Sequence, residues 1–198
     1  MQNLNGNLLC SIDVETTGTE VGKHDIIQIA ILPLDEGIEV SKKIQPFIME
    51  LIPGRKENID SEAMRINRMK LCEIMVRGVD SFRAADLFLE WFERLKLGYE
   101  KKIVPLGCNW PFDASFIREW LGPETYKMCF HYFYRDVQVV ANFCNDRAGW
   151  MGRDFPYPKV SLQYLCNVLG VEHDRAHDAI DDARATAEVY RRIIKDFV

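Results

Sequence analysis

The sequence has no apolar run near the ~20 residues that a membrane-spanning helix needs. It also has no basic stretch followed by an apolar block at its start, so we expect no secretory signal. Repeats and low-complexity segments are absent too. Hydrophobic residues make up 47% and charged residues 28% of the 198 residues, which excludes a disordered chain. We therefore expect one domain over 1–198, in the cytoplasm and with no membrane partner.

An excess of positive charge is also missing. Acidic residues number 30 and basic residues 25, which gives a net charge of −5. The charge of the whole molecule therefore offers no attraction for nucleic acid. We expect any polyanionic substrate to be held locally, by a basic patch or by bound cations.

Closely spaced cysteine pairs are lacking as well. The six cysteines contain no C-x-x-C pair, which argues against a structural zinc site. A chain of this size needs no disulfide framework. We expect reduced and mostly buried thiols.

The order of the elements predicts a mixed sheet covered by helices. Short apolar runs rich in strand-forming residues predict strands at 8–14, 26–34, 38–48 and 103–107. Helical periodicity and capping residues predict helices at 81–97, 112–121, 136–144, 161–170 and 178–198. The polar segments 51–78 and 145–159 are predicted to be irregular, and each carries basic residues that could line a substrate groove.

Two acids interrupt the first predicted strand. Asp13 and Glu15 are two positions apart, so they share one face of the strand. Ionised carboxylates cost several kcal/mol to desolvate without a partner, and magnesium prefers carboxylate oxygen. The pair therefore indicates a cation site, with a solvated strand end as the alternative.

Two further acids follow at helix starts. Asp113 opens a helix after the strand 103–107, where the helix dipole alone could explain it. In the last predicted helix, Asp182 falls about 85° from the centre of the apolar stripe, whereas Asp181 points away into water. Members of that stripe are Ala179, Ala183, Thr186, Ala187, Tyr190, Ile194 and Phe197. Of the adjacent pair, Asp182 is therefore expected to reach a site on the sheet.

These acids together predict a metal centre. If Asp13, Glu15, Asp113 and Asp182 converge, two divalent ions would balance their four negative charges. Paired metals stabilise the attacking and leaving oxygens of a phosphoryl-type displacement. His177, just before the last helix, could accept the proton of the attacking water.

Three motifs with this spacing resemble the DEDDh 3′–5′ exonucleases, the family of the epsilon-type proofreading exonucleases and ribonuclease T. The motifs are DVETTG at 13–18, NWPFD at 109–113 and HDAIDDA at 177–183. The resemblance covers about residues 8–195. The sister branch of the family has a tyrosine four residues before the last aspartate. Asp178 stands there, which favours the histidine branch.

The resemblance implies a ribonuclease H-like α/β fold, with a five-stranded mixed sheet flanked by helices. It implies two Mg²⁺ or Mn²⁺ ions held by Asp13, Glu15, Asp113 and Asp182, with His177 as the general base. The implied activity is hydrolysis of phosphodiester bonds from the 3′ end, which releases nucleoside 5′-monophosphates. The expected substrate is single-stranded DNA, with RNA as the alternative.

Further positions are implied to contact the terminal nucleotide. They are Thr16, Thr17, Asn109, Phe112, Ile66 and Asn67. Ile66 and Asn67 stand in the wedge, the hydrophobic-histidine-glycine segment that packs against the last base in proofreading relatives. At the wedge, Asn67 stands where relatives have histidine and Arg68 where they have glycine. His24, His131 and His173 have no metal-site spacing and are interpreted as structural or surface residues.

Other functions remain open at the level of the sequence. The same fold could serve as a non-catalytic module that binds nucleic-acid ends or a protein, or as a hydrolase of short dinucleotides. A homodimer, as in ribonuclease T, or a polymerase or repair partner would also be compatible with the motifs.

Overall fold

The computed structural model describes residues 4–195, which form six strands and eight helices. The strands are β1 (Leu8–Thr16), β2 (Ile26–Pro33), β3 (Phe47–Ile52), β4 (Val79–Asp80), β5 (Ile103–Gly107) and β6 (Arg135–Asp136). The helices are α1 (Ser61–Asn67), α2 (Leu71–Arg77), α3 (Ser81–Arg94), α4 (Trp110–Leu121), α5 (Pro123–Cys129), α6 (Val137–Trp150), α7 (Leu162–Leu169) and α8 (Ala179–Lys195).

All six strands belong to one mixed sheet in the order β4-β3-β2-β1-β5-β6. β2 pairs antiparallel with both β1 and β3. β5 is parallel to β1 and to β6, and β4 is parallel to β3. Because β1 and β5 are parallel neighbours, the residues that follow both strands lie at the same edge of the sheet.

The pleat of β1 separates its side chains into two sets. Cys10, Ile12 and Val14 belong to the core beneath α3, α4 and α5. The opposite face carries Ser11, whose hydroxyl donates a 2.6 Å hydrogen bond to the carbonyl of Ala183 in α8. Asp13 and Glu15 have the same parity as Ser11 and therefore project from the α8 side of the sheet.

Helices cover both faces of the sheet, and each layer has its own apolar core. On one side α6, α7 and α8 pack against β1 and β5 around Leu9 and Leu106. On the other side α3, α4 and α5 pack around Phe88, whose ring centroid lies 5.5 Å from Phe47 and 5.8 Å from Phe130. Full burial of a phenylalanine contributes roughly 1.5–3 kcal/mol, so this aromatic cluster fixes α3 on the sheet.

α8 is buried along two columns rather than along one. The predicted sheet-facing stripe is buried from Ala179 to Tyr190, and Phe197 lies outside the described residues. A second column of Ala185, Val189 and Ile193 is buried in the core that α8 shares with α6 and α7. Asp182 lies one turn before this column, on the same side of α8. It is therefore buried, although it lies at the edge of the first stripe.

Several elements differ from the sequence-based expectation. The third strand covers Phe47–Ile52 rather than 38–48, and the sheet has six strands rather than five, since β4 and β6 contribute two residues each. The segment 51–78 is largely helical, with α1 and α2, and α5 was not predicted. α1, α2 and α5 have seven residues each, too few for an apolar periodicity to be legible in the sequence.

α6 extends six residues beyond its predicted end and runs through Trp150. Its 14 residues rise about 21 Å. Because α6 begins beside Trp110 at Asp136, the segment after Trp150 starts at the far end of the helix. The segment then folds back along α6, since the side chain of Asn145 donates to the carbonyl of Tyr157 at 2.7 Å and accepts its N–H at 2.9 Å. Trp150 itself is 93% exposed.

Among residues 4–195, no helix combines the length and apolar character needed to cross a membrane. Four of the six cysteines are buried, namely Cys10, Cys129, Cys144 and Cys166, which agrees with the expectation of mostly buried thiols.

Candidate active site

The first contact between the motifs joins β1 to α4. The backbone N–H of Val14 donates a 3.0 Å hydrogen bond to Oδ1 of Asp113. Asp113 lies in the first turn of α4 and is buried, with 4% of its surface exposed. This bond places the Asp113 carboxylate beside β1, close to the two acids that flank Val14 in the sequence.

A buried aspartate outside the motifs fixes the start of α4. Asp136 accepts the backbone N–H of Trp110 at 2.7 Å and caps α6 by accepting the N–H of Gln138 at 2.8 Å. Asn109, just before α4, has a left-handed backbone with φ 66°, which turns the chain sharply from β5 into the helix. Asparagine tolerates this conformation better than most residues.

Asp182 is held by two histidines. Nε2 of His173 lies 2.5 Å from Oδ1 of Asp182, and the backbone N–H of His177 lies 3.3 Å from both carboxylate oxygens. Burial raises the pKa of Asp182, while the hydrogen bond from His173 opposes that rise. The neighbouring Asp181 turns to the other side of the helix, where its carboxylate accepts a 2.6 Å bond from Nε of Arg175.

Glu15, His177 and Asp182 meet in space. One ligand atom from each lies within 4.8 Å of the other two, a spacing that could hold a metal ion. His177 is exposed, and its φ of 68° turns the chain just before α8. The structure thus joins the first motif to the third at this point, and to the second through Asp113.

The four acids repel one another. Burial raises the pKa of Asp13 well above its ordinary value, and the charges of Asp113 and Glu15 raise it further. Burial raises the pKa of Glu15 to about 8, with the charge of Asp182 as the next cause. Burial likewise raises the pKa of Asp113 to about 8. A site where carboxylates oppose each other's ionisation favours cations, which relieve the repulsion.

The donor set fits a hard divalent cation. Its acidic members offer carboxylate oxygens, the ligands that Mg²⁺ and Mn²⁺ prefer. Cys108 lies close enough to Asp13 and Asp113 for their charges to act on its thiol. Burial is the main reason why the pKa of Cys108 rises to about 12, so the sulfur stays protonated and is a poor ligand.

The residues expected to contact a nucleotide fall into two groups. The side chains of the first group form hydrogen bonds within the protein. Thr17 is fully buried, and its hydroxyl accepts the backbone N–H of Asp25 at 3.0 Å. The hydroxyl of Thr16 donates to the carbonyl of Gly18 at 2.6 Å. Asn67 is buried, and its amide donates to the carbonyl of Thr16 at 3.2 Å, which ties α1 to the end of β1.

The second group is accessible. Ile66 is 42% exposed at the end of α1, next to the buried Asn67. Asn109 is exposed, and Phe112 is half-buried with its ring 5.0 Å from that of Phe116. Apolar and polar side chains are therefore accessible at these three positions.

Two residues of the site were not identified as site residues from the sequence. His173 was interpreted as structural or surface, yet it is bonded to Asp182; its position four residues before His177 was the available signal. Gln28 accepts the backbone N–H of Ala179 at 2.8 Å and ties the start of α8 to β2. A lone glutamine in the apolar strand IIQIAILP was the signal there. His24 and His131 bond locally, to the N–H groups of Glu20 and Phe133.

The chain is similar to several known exonucleases. The exonuclease family model (RNase T) matches residues 10–190. A curated relative, the 3′-5′ DNA exonuclease Cap18 of Escherichia coli, is 26% identical over 190 residues, or 95% of this chain and 92% of Cap18. E. coli exonuclease I in complex with a dA16 oligonucleotide has a TM-score of 0.73 at 21% identity, over 96% of this chain. Cell-death related nuclease 4 (CRN-4) has a TM-score of 0.73 at 18% identity, over 96% of this chain and 64% of its own.

These likenesses differ in what they establish. The chain spans 41% of the length of exonuclease I, and at such low identity the solved structures show the fold, a ribonuclease H-like sheet flanked by helices. The family model, by contrast, covers nearly the whole chain and includes all three motifs. The chain therefore belongs to the DEDDh 3′–5′ exonuclease family.

Proposed function

We propose that residues 1–198 form a single exonuclease domain that removes nucleoside 5′-monophosphates from the 3′ end of single-stranded nucleic acid. One observation carries this proposal. Acids from β1, α4 and α8, segments far apart in the sequence, come together: Asp113 accepts the N–H of Val14, and Glu15 and Asp182 meet at His177. Burial and mutual repulsion raise the pKa values of these acids. A binding module without catalytic activity would have no use for such a repulsive cluster.

In this proposal Asp13, Glu15, Asp113 and Asp182 hold two Mg²⁺ or Mn²⁺ ions. When bound, such ions stabilise the negative charge that develops on the attacking and leaving oxygens of a phosphodiester. Asp113 keeps its orientation through the N–H of Val14, and Asp182 keeps its orientation through His173 and His177.

His177 is proposed to accept the proton of the attacking water. Its side chain is exposed and one ring nitrogen lies within 4.8 Å of carboxylate oxygens of Glu15 and Asp182, so it borders the acids without being enclosed by them. A general base in this position contributes about 10²–10⁴-fold to the rate.

Substrate contacts are proposed at the accessible residues Ile66, Asn109 and Phe112, which offer apolar and polar surface to the last nucleotide. Thr16, Thr17 and Asn67 are proposed to act by shaping the loop after β1, because their side chains are bonded internally. DNA is favoured as the substrate because the curated relative Cap18 is a DNA exonuclease. RNA is the alternative.

A gel time course tests this proposal. DNA and RNA oligomers of one sequence, labelled at the 5′ or the 3′ end, are incubated with Mg²⁺ or with EDTA. We expect stepwise shortening of the 5′-labelled strand, immediate release of a labelled mononucleotide from the 3′ end, and no reaction in EDTA. Cleavage restricted to two-residue substrates would favour a dinucleotide hydrolase, and the absence of cleavage would favour a binding module.

Two adjacent aspartates of α8 provide a matched pair of variants. Asp182→Asn should abolish cleavage, because it removes a charge from the acidic cluster. Asp181→Asn should keep the rate within about threefold, because it removes only surface ion pairs with Arg175 and Arg184. Equal loss in both variants would contradict the assignment of the site.

A further inference from the structure

An open cleft of about 390 Å³ lies beside His177. The segment from Asn67 to Lys70, between α1 and α2, lines the cleft, and so does the segment 175–178 before α8. Four basic residues line it: Arg68, Lys70, Arg77 and Arg175. The cleft therefore combines the candidate general base with four basic and three acidic residues, the latter being Glu50, Glu73 and Asp178, in a chain of net charge −5.

Three of these four cations already have acidic partners. Lys70 pairs with Glu73 at 3.1 Å. Arg77 pairs with Glu50 at 3.3 Å and with Glu73 at 3.4 Å, and Arg175 pairs with Asp181. Within residues 4–195 no carboxylate lies within ion-pair distance of Arg68, the one cation of the cleft without such a partner.

The backbone of Arg68 is an unfavourable place for an arginine. Arg68 ends α1 with φ 56° and ψ 13°, the left-handed conformation in which glycine is the preferred helix-ending residue. A side chain with a Cβ costs free energy there. Residues held in such conformations cluster at active sites and ligand-binding sites, and Arg68 lines the cleft.

We propose that Arg68 binds a backbone phosphate of the single strand as the strand crosses this cleft toward His177, an inference that rests on the proposed function. The guanidinium is exposed, unpaired and planar, and it can donate two parallel hydrogen bonds to one phosphate. Ile66 is exposed two residues earlier, so an apolar surface for a base and a cation for a phosphate lie at the same end of α1.

The substitution Arg68→Gly distinguishes phosphate binding from a structural role. We expect it to raise the melting temperature and to lower the affinity for a single strand. The melting temperature should rise by roughly 2–4 °C, since glycine suits the left-handed backbone. Binding of a fluorescent 20-residue oligo-dT in EDTA, followed by anisotropy, should weaken about 5- to 10-fold. The slope of log Kd against log[KCl] should fall by about 0.7, the value for one phosphate contact on a single strand.

Two further variants control this experiment. Arg68→Lys keeps the charge and should retain most of the salt slope without the gain in melting temperature. Arg65→Ala removes an exposed cation from the same helix that pairs with Glu62 at 2.6 Å and does not line the cleft. It should leave both the Kd and the slope unchanged.

The outcomes are distinct. If the wild-type protein binds the oligonucleotide and Arg68→Gly has the same Kd and salt slope, the role of Arg68 is overturned. The proposed function is then unaffected. A lower melting temperature in Arg68→Gly would also overturn it, because the side chain would then stabilise the fold. Absence of both binding and cleavage in the wild-type protein would overturn the proposed function together with the inference.

Discussion

Nε2 of His173 lies 2.5 Å from Oδ1 of Asp182, and the His173 side chain is 4% exposed. The other ring nitrogen, Nδ1, is buried and has no hydrogen-bond partner within residues 4–195. The imidazole therefore has a single polar contact, and that contact is with a proposed metal ligand. Hydrogen bonds of this kind orient carboxylates around a metal.

Replacement of His173 should weaken cation binding. We expect His173→Ala to lower the affinity for Mn²⁺ by about 10–100-fold, as the loss of such supporting contacts does. His173→Gln should recover much of the affinity, because the glutamine amide can donate from a position near Nε2. Isothermal titration calorimetry of the metal-free protein measures both. If the alanine and glutamine variants bind Mn²⁺ equally well, the hydrogen bond has no orienting role.

The raised pKa values of the acids predict how stability depends on pH. Glu15 and Asp113 have pKa values of about 8 in the folded chain, against 4.5 and 3.8 as ordinary values. The folded chain therefore binds more protons than the unfolded chain between these limits. This extra proton binding stabilises the folded chain fully below about pH 4, and the stabilisation is lost as the pH rises through 8. In EDTA, the melting temperature should be lower at pH 8 than at pH 6, by on the order of 5 °C.

The variant Asp13→Asn serves as the control for this prediction. It removes one of the repelling charges, so its melting temperature should change less between pH 6 and pH 8 than that of the wild type. Mg²⁺ should also raise the wild-type melting temperature more at pH 8 than at pH 6. A melting temperature in EDTA that rises over this interval would contradict the shared burial of the acids.

His177→Asn separates a proton acceptor from a metal ligand. Asparagine tolerates the left-handed backbone of His177, so the fold should be preserved. The cleavage rate should fall about 10²–10⁴-fold, with Mn²⁺ affinity within about threefold of the wild type. Single-turnover rates and calorimetry measure the two quantities. A parallel loss of rate and affinity would identify His177 as a ligand instead.

Asp136 should stabilise the fold more than an ordinary helix cap does. It caps α6 and also accepts the N–H of Trp110, so Asp136→Ala removes a cap and leaves a buried donor unpaired. We expect a loss of about 2–4 kcal/mol in urea unfolding. Asp80→Ala removes the exposed cap of α3 and should cost about 0.5–2 kcal/mol. Equal losses would show that the Trp110 bond contributes nothing.

The elements marked by an apolar run or by helical periodicity were predictable because these signals are local. β5 lies at the predicted residues, and β1, β2, α7 and α8 begin within one residue of their predicted starts. The short elements were not, because α1, α2 and α5 are stabilised by what packs on them. Asn67 illustrates this: its bond to Thr16, together with the bond from the N–H of the α1 cap Asp60 to the carbonyl of Thr17, attaches α1 to the end of β1.

The sequence alone determined which acids could converge. The two-residue spacing of Asp13 and Glu15 places them on one face of a strand, and the helical angle separates Asp182 from Asp181. Both follow from the geometry of a single backbone segment. Tertiary structure decided the surroundings of these groups, namely that Thr17 is enclosed, that His173 reaches Asp182 and that the acids share a buried site. Burial and pKa depend on segments brought together from across the chain, and no local pattern contains that information.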